Sequence, residues 1–493
     1  QIALALSCVL DQWDRPIVGI INFCLPLGVD EPNDEEQTKA NIHTVAMHEI
    51  VHVLGMDPFL FRFFRDPETG EPLTARGDDN DEKFKEVTCV DGNTITIPFP
   101  SDNTIRRHDT ADDMVYYEIV TPTVATVVRN HFNCQSLEGA RLENQATAGV
   151  CIGDHWDERL FYTELLGQRF TGRSDFLSPL TLALLADTGW YPHVSFQHSE
   201  ASPFGKGLGC DFVNSDCIVD GEIPSWGKDV FCDRLWDLDD PTSQAMCDPT
   251  HSSFATCNLV DLDDEDELAD IDEEVPDESE AILYFSDLNL VGLLAETEYC
   301  PMPIGNLGTD CTAQDETYVG SYVGEEVGSN SRCIHAIEED AIRTPICMRV
   351  TCSQAGKVIV GSGQFQQTCE YDGQRLETIN SEGLVIECPR FATVCSHMVC
   401  PFDCSGAGIC NYETMPPSCE CFDSDDTSIG CSGDATTAPQ PSPAGPVAPS
   451  SPAGPTGPSS PTDAPIGSSN SGRMRPSWWR ESIIFLALAL LSL

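Results

Sequence analysis

Apolar and small residues alternate at the start of the chain, with Ile2, Leu4 and Leu6 set against Ala3, Ala5 and Ser7. A period of two is the mark of a strand with unlike faces. The β-branched run "RPIVGIINF" (15–23) predicts a second strand, apolar enough to be buried. From 37 to 54 the spacing becomes helical, carried by Ile42, Val45, Ala46, Ile50, Val53 and Leu54. Gly55 is expected to end that helix in a left-handed conformation. Residues 65–113 are polar and acidic and predict a long surface excursion. "SPLTLALLADTGWY" (178–191) predicts another helix, capped by Ser178, with Pro179 in its first turn and Gly189 closing it.

Farther along, 300–395 is rich in Cys, Gly, Thr and Val, a pattern of short strands stapled by disulfides. "CPFDCSGAGICNYETMPPSCECFDSDDTSIGC" (400–431) is a compact cysteine-dense segment, too short to fold on apolar burial alone. The Pro/Ser/Ala/Gly/Thr stretch 436–471 predicts a disordered, semi-extended stalk. After it come small residues "SSNSG", a polar spacer "RMRPSWWRE" and the apolar "SIIFLALALLSL". That last run falls short of the ~20 residues a spanning helix needs. The layout is that of a GPI-anchor signal with attachment at Asn470 or Ser471; the alternative is a hydrophobic tail anchor with the two tryptophans at the interface.

The 493 residues leave room for several domains, and 80 Asp and Glu against 26 Lys and Arg give a formal net charge of −54. Such a surface repels phosphate backbones, so no nucleic-acid partner is expected. The 24 cysteines do not group as paired C-x2-C knuckles and read as a disulfide framework formed in an oxidising compartment. Gln1 opens the chain without an initiating Met or a basic leader, so the true N-terminus is expected upstream. The acidic run 261–280 reads as a solvated loop; it lacks the glycine-centred spacing of an EF-hand calcium site.

The predicted first helix carries "HEIVH", with His48 and His52 one turn apart on one face and both able to reach one metal ion. Glu49 is rotated about 100° from His48, beside the place a metal-bound water would occupy. Zinc is the expected ion, with Glu49 as general acid/base for hydrolysis. His43 lies well around the helix from His48 and reads as a surface or capping residue. A third ligand is needed, and position 58 is Pro rather than His. His108, His131, His155, His193 and His198 all remain candidates on ligand counting alone.

Beyond the motif, "CVLDQWDRPIVGIINF", "YYEIVTPTVATVVRNHFNCQSLEGARLEN", "GDHWDERLFYTELLG", "LTLALLADTGWY" and "GKGLGCDFVNSDC" occur in an order that resembles the leishmanolysin family of metzincins, including its invadolysin-like members. The likeness runs to about Cys395. It implies one catalytic zinc held by His48, His52 and His155, and protein or peptide substrates cleaved by metal-activated water. It also implies a packing role beneath the metal for the residue at 166, which is Leu166 where the family has Met. The 400–431 segment resembles an EGF-like module, which implies the pairs Cys400–Cys410, Cys404–Cys419 and Cys421–Cys431. The expected fold is α+β. A metzincin-type catalytic domain, incomplete at its N-terminus (1–200), precedes a disulfide-rich, mainly β domain (201–398). An EGF-like module (399–432), a stalk (433–472) and a membrane-anchor tail (473–493) follow. The expected activity is that of a zinc metalloendopeptidase at the cell surface. The rivals are a decayed ectodomain serving adhesion or scaffolding, and a zinc hydrolase of small molecules.

Overall fold

The structure is a computed structural model. It describes residues 3–24, 35–76, 84–109, 115–145, 151–171, 175–235, 245–263, 284–287, 289–304, 309–313, 322, 324–337, 343–377 and 385–433. The acidic run beyond 263, the stalk and the C-terminal tail with Asn470 and Ser471 lie outside these residues. Among the described residues no helix is long and apolar enough to cross a membrane.

The N-terminal alternation forms β1 (Ala3–Leu10), paired antiparallel with β2 (Pro16–Phe23). Asp11 holds the turn between them by accepting from the N–H groups of Trp13 and Arg15. The expectation that β2 is buried needs correction, because Ile17 and Val18 are exposed, as are Leu4 and Leu6 of β1. Among the described residues the ribbon has two strands only, and α1 (Glu35–Leu54) covers just one face of it.

Gly55 does follow the last turn of α1, but its φ is not positive. Its lack of a side chain serves packing instead. A Cβ there would lie 3.1 Å from Thr188 Cγ2 and 3.4 Å from Leu185 Cδ2, so the end of α1 approaches a neighbouring helix closely. The short α2 (Pro58–Phe61) is capped by Asp57, whose carboxylate accepts from Phe59 N at 2.7 Å.

The 65–113 segment is more than a surface excursion. It forms β3 (Phe84–Thr88) and β4 (Thr94–Pro98), then β5 (Ile105–Asp109), which pairs with β6 (Val115–Ile119). Val87, Phe99 and Ile105 from this segment are buried in the main core, and Cys89 is bonded to Cys151. Lys85 and Glu86 of β3 and Arg106 and Arg107 of β5 set the local composition and hide the few inward-facing apolar residues.

Next come α3 (Pro122–Phe132), β7 (Ala140–Arg141), α4 (Glu158–Phe161) and α5 (Pro179–Asp187). Pro122 and Pro179 each open a helix, where a missing N–H costs nothing. Ser178 Oγ caps α5 by accepting from Leu180 N, and Gly189 follows at φ +72°. The start of α3 lacks a local side-chain cap. Asp187 supplies one from the end of α5, accepting from Thr123 N at 2.8 Å and Val124 N at 3.0 Å. That single carboxylate locks two helices together.

Residue 200 is not a packing boundary. Phe204, Phe212, Phe231 and Met302 share one apolar core with Val124 and Trp156. The Cys134–Cys210 bond crosses the same line. A second core lies against a six-stranded antiparallel sheet. Its order is Gln367–Cys369, Val358–Val360, Arg343–Cys352, Ser331–Ile337, Val385–Glu387, Arg375–Glu377.

Eleven disulfides take up 22 of the 24 cysteines, two for each bond. Cys8 and Cys24, both exposed on the N-terminal ribbon, are free thiols and fall outside the expected framework. In the 400–433 segment Cys400 pairs with Cys410, Cys404 with Cys419 and Cys421 with Cys431 around a small hairpin. The hairpin sits on α3. Asn130 Nδ2 donates to Asp403 O and Gly408 O, and Asn130 Oδ1 accepts from Cys410 N.

Candidate active site

His48 and His52 project from the last turns of α1, one helical turn apart. His155 arrives on the loop before α4, and its ring centroid is 5.2 Å from that of His48 and 5.0 Å from that of His52. One ring nitrogen from each of the three lies within 4.8 Å of the others. Of the five histidines left open by ligand counting, this is the one brought to the pair. His108 stacks on Tyr116 and faces Glu118, while His131 is buried against Phe204 O and Asp403. His193 and His198 are exposed, and His43 is exposed on α1.

Each Nδ1 has an acceptor. That of His48 is 2.7 Å from Leu165 O, that of His52 is 2.7 Å from Met56 O, and that of His155 is 3.0 Å from Glu143 Oε1. A carbonyl or carboxylate partner requires the proton on Nδ1, which leaves the lone pair on Nε2. His48 Nε2 and His52 Nε2 are 2.9 Å apart. Two lone pairs facing each other at that distance repel unless a cation or a proton lies between them. Nitrogens sharing a zinc ion at about 2.0–2.1 Å in tetrahedral geometry would be about 3.3 Å apart, so the pair needs little adjustment to hold one. Three imidazoles with their Nδ1 atoms held by acceptors fit a borderline-soft divalent ion, which His155 would bind on giving up its Nε2 proton.

The electrostatics agree. Burial, aided by the other two histidines, pushes His48 down to about 3. Burial together with His155 pushes His52 down to about 4. Both are therefore uncharged and available as ligands at neutral pH. Burial also works against the charged form of His155, but Glu143 and Asp154 outweigh it and hold His155 up at about 10. A group that so favours a positive charge at this spot is one whose surroundings suit a cation. Burial raises the Glu49 carboxyl to about 7, with His155 opposing and Asp154 reinforcing. A carboxyl poised there can both accept and return a proton near neutrality.

The turn after α4 completes the frame. Leu166 is fully buried, its carbonyl accepts from Trp156 N at 2.9 Å, and the preceding carbonyl anchors His48. Glu164 secures the turn to α5, accepting from Ser178 Oγ at 2.8 Å and Thr181 Oγ1 at 2.7 Å. Residue patterns alone did not single out Glu143, Asp154 or Glu164. Their partners come from segments distant in sequence, and no local spacing announces them.

The leishmanolysin family model matches residues 1–400. A leishmanolysin-like peptidase of Caenorhabditis elegans is 30% identical over 352 residues, covering 65% of this chain and 49% of the relative. One from Drosophila melanogaster is 34% identical over 271 residues, covering 52% and 37%. A leishmanolysin homolog of Crithidia fasciculata is 26% identical over 443 residues, covering 85% and 55%. The chain thus spans about half the length of the curated relatives it matches, or less. With a triple-histidine group that could hold a metal and a family match over residues 1–400, the chain belongs to the leishmanolysin family, whose peptidases are metal-dependent.

Proposed function

We propose that the protein is a zinc metalloendopeptidase that hydrolyses internal peptide bonds of protein or peptide substrates at the cell surface. His48, His52 and His155 would hold the ion through Nε2. Bound there, zinc supplies Lewis acidity, acidifying a water molecule and polarising the scissile carbonyl. Glu49 takes the proton of the attacking water on its carboxylate and returns it to the leaving nitrogen, with no covalent intermediate. The Nδ1 acceptors keep the three rings turned inward. The observation that carries this reading is the convergence of three imidazoles, each with its Nδ1 held by an acceptor, beside the buried carboxyl of Glu49. Surface anchoring is supported by the C-terminal layout of small residues, spacer and apolar tail, with Asn470 or Ser471 as the lipid-bearing residue.

The test uses the full chain, with bound zinc and cleavage of an unstructured protein both measured. Glu49→Gln is expected to keep zinc and lose turnover by roughly 10²–10⁴-fold, the usual contribution of a positioned general base. Turnover undiminished by Glu49→Gln would overturn the mechanism. Zinc binding without any cleavage by the unaltered protein would favour the rival reading, an ectodomain serving adhesion. Release from cells by a phosphatidylinositol-specific phospholipase would distinguish a lipid anchor from a hydrophobic tail.

A further inference from the structure

We infer that Glu143 is a positioning residue for the metal centre, holding His155 by its rear nitrogen; this rests on the metal site proposed above. Two of the three rings are oriented by backbone carbonyls, those of Leu165 and Met56. His155 differs, because its Nδ1 faces a carboxylate 3.0 Å away. The same oxygen, Glu143 Oε1, also accepts from Asp154 N at 2.9 Å. It therefore grips both the ring and the backbone immediately before it.

The backbone repeats the connection. Glu143 N donates to His155 O at 3.0 Å, and Leu142 bridges Trp156 antiparallel. Arg141, two residues before Glu143, is tied to Glu298 at 3.2 Å. The loop folds tightly around the carboxylate, so a Cβ on Gly153 would lie 2.2 Å from Glu143 Cγ, and only glycine fits. A side chain with so little freedom can hold a ring angle to within the tolerance that metal ligation demands.

A carboxylate behind a ligating imidazole does two things. It fixes the tautomer and the plane of the ring, and it raises the donor strength of Nε2. His155 comes from a loop rather than from α1, so it is the ligand with the least help from a regular element. Asp154 Oδ1, 3.1 Å from the same Nδ1, is about half exposed and is the weaker holder of the two.

The experiment measures zinc dissociation constants by competition with a chromophoric chelator, and melting temperatures of the metal-free full chain. The proteins are the unaltered chain, Glu143→Gln, Glu143→Ala and His155→Ala. Glu143→Ala is expected to weaken zinc about 10–100-fold, as loss of such an outer partner does. Glu143→Gln keeps the shape and one acceptor but not the charge; it should weaken zinc several-fold while the metal-free melting temperature stays unchanged. A fold-only role would leave the glutamine variant's zinc affinity untouched, or lower affinity and melting temperature together, and either result overturns the inference. If His155→Ala binds zinc as tightly as the unaltered chain, the metal site itself has been misplaced, which is a separate failure.

Discussion

At position 166 the side chain is fully buried, yet the contacts this turn makes with the site are made by backbone. Leu165 O holds His48 Nδ1, and Leu166 O holds Trp156 N beside His155. Any residue supplies a carbonyl, so leucine at 166 keeps both anchors as well as methionine would. Leu166→Met is a nearly volume-conserving exchange, expected to change unfolding free energy by less than ~1.5 kcal/mol. Zinc affinity should stay within a few-fold, and a denaturant titration with a chelator competition checks both. Glu164 should behave differently. Burial raises it to about 7 against the hydrogen bonds from Thr181, Leu166 N and Ser178 that lower it. Glu164→Ala strips those buried donors of their acceptor, at about 1–3 kcal/mol for each one orphaned. It should also loosen the turn that anchors His48, so zinc content should fall along with stability.

Between elements, the tie that sets the cysteine-dense module against α3 and its neighbours is ionic and buried. Lys206 pairs with Asp403, both 1% exposed, and His131 of α3 faces the same carboxylate. Asp403 lies in a run of four non-glycine residues, Phe402–Ser405, all at positive φ between 49° and 57°. Such backbone is costly for L-residues and persists only where the surroundings hold it in place. Removing one partner leaves a buried charge alone, so Asp403→Ala is expected to destabilise by about 3–5 kcal/mol. Lys206→Met combined with Asp403→Ala should cost less than Asp403→Ala alone, and a double-mutant cycle by chemical denaturation measures the difference. Burial would raise the Asp403 carboxyl, but Lys206 and His131 outweigh it and hold it below its ordinary value. Its contribution is therefore full above the ordinary carboxylate range and is lost as pH falls through the lowered folded value. β1 and α1 were legible from their periods, and α5, buried almost all round, from Ser178, Pro179 and Gly189 at its ends. The strands at 84–109 were not, because each is only five residues long and the charges of β3 and β5 masked the few inward-facing apolar residues. Nor was the role of Gly55, since what it makes room for belongs to a helix more than a hundred residues away. The helix motif was readable as a site because both histidines sit on one element. The choice of His155 among five came from the family likeness, and the carboxylate behind it from neither.

Over the whole molecule, a formal charge of −54 acts on folding and on the metal with opposite signs. Self-repulsion among so many carboxylates destabilises the compact state, while the same field draws divalent cations towards the surface. Salt weakens both effects, because the screening length drops from about 30 Å at 0.01 M to about 8 Å at 0.15 M. Raising sodium chloride across that range should therefore raise the melting temperature of the metal-free protein and weaken its zinc affinity. The buried pair Lys206 with Asp403, and the partly buried Arg343 with Asp229 and Glu387, are screened less than surface charges and should not reverse the trend. Zinc in turn stabilises by mass action, about 2.7 kcal/mol when free metal stands at a hundred times its dissociation constant. The melting increment that zinc gives at a fixed concentration should consequently shrink as salt rises, even while the metal-free baseline climbs. Scanning calorimetry at several salt concentrations, with and without zinc, reads both slopes in one series. A metal-free melting temperature that falls with salt would mean that local ion pairs, rather than net repulsion, govern the electrostatics of this fold.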